Sequence, residues 1–65
     1  MNVYINGEQR ELPKTVTVAW LLEREGLSGK VAVAINGAFV PRRDYAEREL
    51  GDGDEIEVVA PMAGG

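Results

Sequence analysis

The 65-residue chain predicts an α+β domain: a mixed sheet of four to five strands, one main helix packed on one face, and a short helical turn. Three observations carry this. Two Asn-Gly dipeptides, Asn6-Gly7 and Asn36-Gly37, each sit between strand-like segments. One segment between Thr17 and Gly26 repeats apolar residues at helical spacing. The stretch Glu55-Ile56-Glu57-Val58-Val59 alternates as far as Val58 and is followed closely by Pro61.

Taken in order, Val3 and Ile5 alternate with Asn2 and Tyr4 in a first strand. Asn6-Gly7 supplies the two positive φ values of a tight hairpin turn, and residues 8–12 return as a second strand. Thr17 is placed to cap a helix over 18–25, in which Val18, Leu21 and Leu22 share a face. Gly26 ends it, with Leu27 set to fold back as the closing apolar contact. Residues 31–35 put Val31, Val33 and Ile35 on one side of a third strand and only Ala32 and Ala34 on the other. Asn36-Gly37 turns the chain into Ala38-Phe39-Val40, which Pro41 stops. Asp44 and Glu47 have the spacing of a capping box, predicting a short helical turn over 45–49 with Leu50 as its core anchor. Gly51-Asp52-Gly53-Asp54 is a turn into the last strand, which has room to pair centrally with the first. The recurrence of Ile-Asn-Gly at 5–7 and 35–37 needs no more than the preference of tight hairpins for Asn-Gly.

Composition narrows the chemistry. A single domain of this size buries only about 60% of its unfolded surface, leaving little room for an enclosed active site. Cys and His are both absent, so there is no thiolate nucleophile, no Cys zinc site and no side chain that ordinarily titrates near neutrality. Self-contained acid–base or metal catalysis is not expected, and the chain is read as a non-enzyme that binds no cofactor itself. Lys plus Arg number 7 against 11 Asp plus Glu, a net charge of −4, which disfavours nucleic acid and anionic membrane and favours an electropositive protein partner. No apolar run of membrane-spanning length and no signal peptide are visible, so a cytoplasmic location is expected. Asp52 and Asp54 lack the full loop of oxygen ligands that calcium requires.

The end of the sequence, Gly64-Gly65, is open to two readings. Small residues collect at frayed termini. Alternatively, a terminal carboxylate is ionised at neutral pH and needs no general base, and glycines without Cβ atoms fit a channel too narrow for other residues. No side chain from Val58 to Gly65 is charged, so a partner that took in this tail would desolvate only the carboxylate. A domain over 1–59 and a flexible tail over 60–65 are expected. Fully extended, those six residues reach roughly 20 Å. Pro61 both stops the strand and stiffens the exit.

Val31-Ala32-Val33-Ala34-Ile35-Asn36-Gly37, followed by Val40-Pro41-Arg42, Gly51-Asp52-Gly53-Asp54, residues 55–59 and the closing Gly-Gly, resembles the ThiS-type sulfur carriers of thiamine biosynthesis, members of the ubiquitin-like β-grasp superfamily. The resemblance covers essentially the whole chain. Pro61-Met62-Ala63 departs from it and is similar to the small subunit of molybdopterin synthase. Membership implies that the Gly65 carboxylate is adenylated by an E1-like enzyme (ThiF type), with ATP and Mg²⁺ held by that enzyme. It further implies that a cysteine desulfurase relay converts Gly65 to a thiocarboxylate, which donates sulfur to thiazole synthase (ThiG type), with Gly64 keeping the tail slim. Carriers serving molybdopterin, tRNA thiolation or protein conjugation share this chemistry, and a non-catalytic interaction module is a further alternative. The partner surface would comprise Ala32, Ala34, Phe39 and Val59 on the non-core face of the sheet, with Pro61 and Met62 in the tail. Trp20 projects from the helix face opposite Leu21 and Leu22, as a partner anchor or as packing over the sheet edge. Arg42, Arg43 and the acids Asp52, Asp54, Glu55 and Glu57 are either partner contacts or a solvated mixed-charge surface.

Overall fold

The computed structural model describes residues 1–27 and 29–60. The expected tail lies outside these residues except for Ala60, so Pro61, Met62, Gly64 and Gly65 carry no structural statement. Strands β1 (Asn2–Ile5), β2 (Glu8–Glu11), β3 (Ala32–Ile35), β4 (Ala38–Val40) and β5 (Glu55–Val59), with helix α1 (Val18–Arg24), appear in the expected order. The sheet has five strands, ordered β2-β1-β5-β3-β4. β1 and β5 run parallel, with Tyr4 opposite Glu55 and Ile5 opposite Ile56, while the other pairings are antiparallel. The last strand therefore sits at the centre, joining two hairpins that do not otherwise touch in the ladder.

Both hairpin turns follow from their residues. Asn6 and Gly7 have φ of 51° and 86°, and Asn36 and Gly37 have 52° and 84°. Two consecutive positive φ values make the turn whose twist matches the strands it joins. Alternation then sorts the faces. Val3, Ile5, Val33, Ile35, Ile56 and Val58 point inward and are buried, and α1 covers them with Val18, Leu21 and Leu22. Strand β2 is exposed along its whole length and carries Glu8, Gln9, Arg10 and Glu11. A short charged edge of this kind resists pairing with another chain.

The ends of α1 are closed as the sequence predicts. The Thr17 hydroxyl accepts from the Trp20 N–H at 3.2 Å. At the other end Gly26 takes φ 70°, the Leu27 N–H donates to the Leu22 carbonyl at 2.7 Å, and the Gly26 N–H donates to that of Glu23 at 3.2 Å. This pair satisfies two of the orphan carbonyls, and Leu27 packs on the core. The helix is one residue shorter than expected because Glu25 is its C-cap.

The capping-box expectation at Asp44 is not met. The helical turn comes earlier, a 3₁₀ segment over Arg42–Asp44, with Pro41 at its start and no side-chain cap. Pro41, with φ −67°, is already set for helical entry, and its carbonyl accepts from the Asp44 N–H at 2.9 Å. Residues 45–47 continue as turns held by the Asp44 carbonyl, which accepts from the N–H groups of Glu47 and Arg48. Leu50 is buried as expected. It is seated because residues 48–50 pair with 16–18: the Leu50 N–H donates to the Val16 carbonyl and the Val18 N–H to that of Arg48, both at 2.9 Å.

Candidate functional site: the outer sheet face and the end of β5

The face of the sheet away from α1 brings together the four described members of the expected partner surface. In register, Ala32 on β3 lies opposite Val59 on β5, and Ala34 lies between Phe39 on β4 and Glu57 on β5. Because the small alanines stand no higher than a methyl group, Phe39 and Val59 flank a trough. It forms a shallow depression of about 380 Å³ whose wall also includes Asn6 and Glu57. Phe39 is 71% exposed and Val59 63%, large fractions for such apolar side chains. An apolar patch on so small a domain marks a surface that a partner can cover.

One member of this face, Tyr4, is absent from the partner surface that the sequence predicts. Tyr4 is 41% exposed and projects from β1 on the same side. With Asn6, Gly7, Gly37, Glu55 and Glu57 it lines a second depression of about 540 Å³ beside the first. Strand alternation could have found Tyr4, since it falls between the inward Val3 and Ile5.

Most of the charged candidates are already engaged within the domain. Asp52 accepts from the Asn2 N–H at 2.7 Å. Asp54 accepts from the Gly51 N–H at 2.8 Å and the Asn36 side-chain amide at 3.0 Å. These aspartates build the turn that feeds β5. Arg42 donates to the Gly29 carbonyl at 3.0 Å, and Arg43 lies 4.0 Å from Asp44 in a mostly exposed pair that contributes little. Glu55 and Glu57 remain exposed on the outer face. Trp20 packs against the core from the helix, with the Arg24 guanidinium 5.2 Å from its ring centroid. This contact fits the packing alternative. Among the described residues no group of three or more His, Cys, Asp or Glu side chains is placed to hold a metal ion. No described helix is long and apolar enough to cross a membrane.

The recurring Ile-Asn-Gly triplet has a structural meaning beyond turn preference. Asn6 Oδ1 accepts from the Val58 N–H at 2.9 Å, and Asn6 Nδ2 donates to the Val58 carbonyl at 3.2 Å. Asn36 Oδ1 accepts from the Glu55 N–H at 3.0 Å. Each turn asparagine thus holds β5 with its side chain, one near the start of the strand and one near its end.

The geometry is therefore a domain whose central strand leads out beside an exposed apolar trough. Residues 3–65 match the ThiS family. The chain belongs to that family of sulfur carriers. A ThiS-family chain acts as the carried group's vehicle, and its chemistry is performed by partner enzymes. Among relatives, the chain is 42% identical over 64 residues to the sulfur carrier protein ThiS of Thermus thermophilus, covering 97% of this chain and 98% of that one. It is 44% identical over 66 residues to a thiazole synthase of Paramagnetospirillum magneticum. There it covers all of this chain but spans only 20% of the relative's length. The crystal structure of the ThiS thiamine biosynthesis protein from Geobacter metallireducens superposes with a TM-score of 0.86 at 28% identity, over the full length of both chains. The ThiS-type resemblance and the β-grasp fold it implied are thus established.

Proposed function

We propose that this ThiS-family chain carries sulfur in thiamine biosynthesis on the carboxyl group of Gly65. The observation that carries the reading is the family match, which runs through the domain and into the Gly64-Gly65 pair. The relative of nearly equal length whose name is sulfur carrier protein supports it.

In the first step a Gly65 carboxylate oxygen attacks the α-phosphorus of ATP, the bond to the β-phosphate breaks, and pyrophosphate leaves. Two anions must approach one another, so cationic groups have to neutralise the developing charge. The outer face of this domain contributes carboxylates, Glu55 and Glu57, so the cations and Mg²⁺ belong to the E1-like adenylating partner (ThiF type). Next, a persulfide sulfur delivered by a cysteine desulfurase relay attacks the acyl carbon, and AMP departs with the electron pair of its bond. A thiol then cleaves the sulfur–sulfur bond reductively and leaves a thiocarboxylate on Gly65. Its ionised sulfur is the nucleophile that thiazole synthase (ThiG type) consumes, a partner class favoured by the thiazole synthase relative.

The trough between Phe39 and Val59 docks the partner, and Glu57 at its margin selects a cation opposite. Intact-mass measurement tests the reading. Incubation with desulfurase, ATP and adenylating enzyme should shift the chain by one oxygen replaced with sulfur, located at the C-terminus. An unchanged mass under those conditions would leave only the interaction-module alternative.

A further inference from the structure

We propose that Asn6 is a positioning residue for the sulfur-transfer tail: its side-chain amide stands in for a missing strand and fixes the last turn of β5 from which the tail departs. This rests on the carrier reading given above. In the parallel ladder the Tyr4 N–H donates to the Asp54 carbonyl at 2.9 Å and the Asn6 N–H to the Ile56 carbonyl at 2.8 Å. The next position on β5 is Val58, but β1 has ended at Ile5, and Asn6, with φ 51°, is already leading into the hairpin turn. A side-chain amide has the donor and acceptor of a peptide group. Asn6 uses both, accepting from the Val58 N–H and donating to the Val58 carbonyl. It thereby extends the ladder past the end of β1. Val58 is 8% exposed, so water is a poor substitute for this partner.

Val59 and Ala60 follow directly, and the tail begins there. Val58 is thus the last residue of β5 gripped by side-chain hydrogen bonds before the tail, and looseness there adds to the positions that the tail's point of departure samples. Attack geometry is narrow, since reacting atoms must approach to about 3–3.5 Å. Asn6 also borders the docking trough, so the readout that isolates its hold on Val58 is turnover at saturating carrier. Loosening the strand end lowers the fraction of docked complexes with the carboxylate in place, and that kcat falls.

The test compares Asn6→Gly with Asn36→Gly. Glycine accepts the positive φ at both turns and deletes only the amide. Asn36 grips the same strand at its start, which makes it the control for general loss of strand stability. With Asn6→Gly, the Val58 amide should exchange with solvent about tenfold faster relative to Val33, and kcat for ATP–pyrophosphate exchange with the adenylating partner, read at saturating carrier, should fall about tenfold. Asn6→Asp keeps the acceptor for the Val58 N–H and should be intermediate in both. Wild-type kcat in Asn6→Gly, or an equal loss in Asn36→Gly, overturns the role of Asn6 alone. Absence of exchange activity in the wild-type chain overturns the carrier reading and this role together, while the amide-exchange result separately decides whether the amide holds Val58.

Discussion

Removing the Phe39 ring should weaken partner docking without unfolding the domain. Phe39 leaves 71% of its surface in solvent, so the folded monomer gains little from the ring. An aromatic side chain offers about 200 Å² for burial, which puts about 140 Å² of Phe39 within reach of a partner. At about 25 cal/mol per Å², full coverage is worth about 3.5 kcal/mol. Phe39→Ala retains the Cβ, and a trough with open sides is covered incompletely. About half of that value, roughly 1.5–2 kcal/mol, is the expected loss, or about 10- to 30-fold in affinity. Titration calorimetry against the adenylating enzyme measures it directly, and KM in ATP–pyrophosphate exchange should rise in parallel while kcat is preserved. Stability in urea should change by less than about 1 kcal/mol, the range of strand-propensity effects. Unaltered affinity in a folded Phe39→Ala protein would show that the trough faces no partner.

Other perturbations separate the domain from its tail. Ile56 is 1% exposed at the middle of β5, and Ile56→Ala should cost about 2–5 kcal/mol, a large part of the roughly 3–10 kcal/mol available to a chain of this length, as read by urea unfolding followed by circular dichroism. Gly37 has φ 84° with open space where a Cβ would stand, so Gly37→Ala should lower stability by about 1 kcal/mol through backbone strain alone, visible as a lower urea midpoint at unchanged slope. If the adenylating partner takes in the tail through a channel that only glycine fits, Gly64→Val should leave the unfolding curve unchanged and abolish adenylation; retained exchange activity would refute the slim-tail requirement.

Much of this fold is legible in the sequence because its signals are local. Asn6-Gly7 and Asn36-Gly37 dictate their turns through φ, and Thr17 and Gly26 close α1 through hydrogen bonds to neighbouring residues. Alternation in 55–59 separates the inward Ile56 and Val58 from the outward Glu57 and Val59, so the outer face follows once the pairing is known. What escapes local reading is long-range. Asp44 and Glu47 satisfy the capping-box spacing, yet Pro41 nucleates the turn three residues earlier, and the 48–50 segment is fixed by pairing with 16–18. The side-chain bonds from Asn6 to Val58 and from Asn36 to Glu55 join residues 52 and 19 positions apart, and turn preference alone gave no hint of them. Asp52 and Asp54 likewise look like free surface charge until the turn they stabilise is seen.

Because β5 occupies the middle of the sheet, the position of a proteolytic cut decides what kind of fragment results. A chain severed before or within Glu55–Val59 loses the strand that joins the β1–β2 and β3–β4 hairpins, so it loses its fold and its C-terminal tail together. A chain clipped just beyond Ala60 keeps every described strand and the whole outer face. Under the proposed carrier function, such a fragment would occupy the adenylating partner while offering it nothing to activate, so damage at this one junction would convert a carrier into an inhibitor of its own pathway.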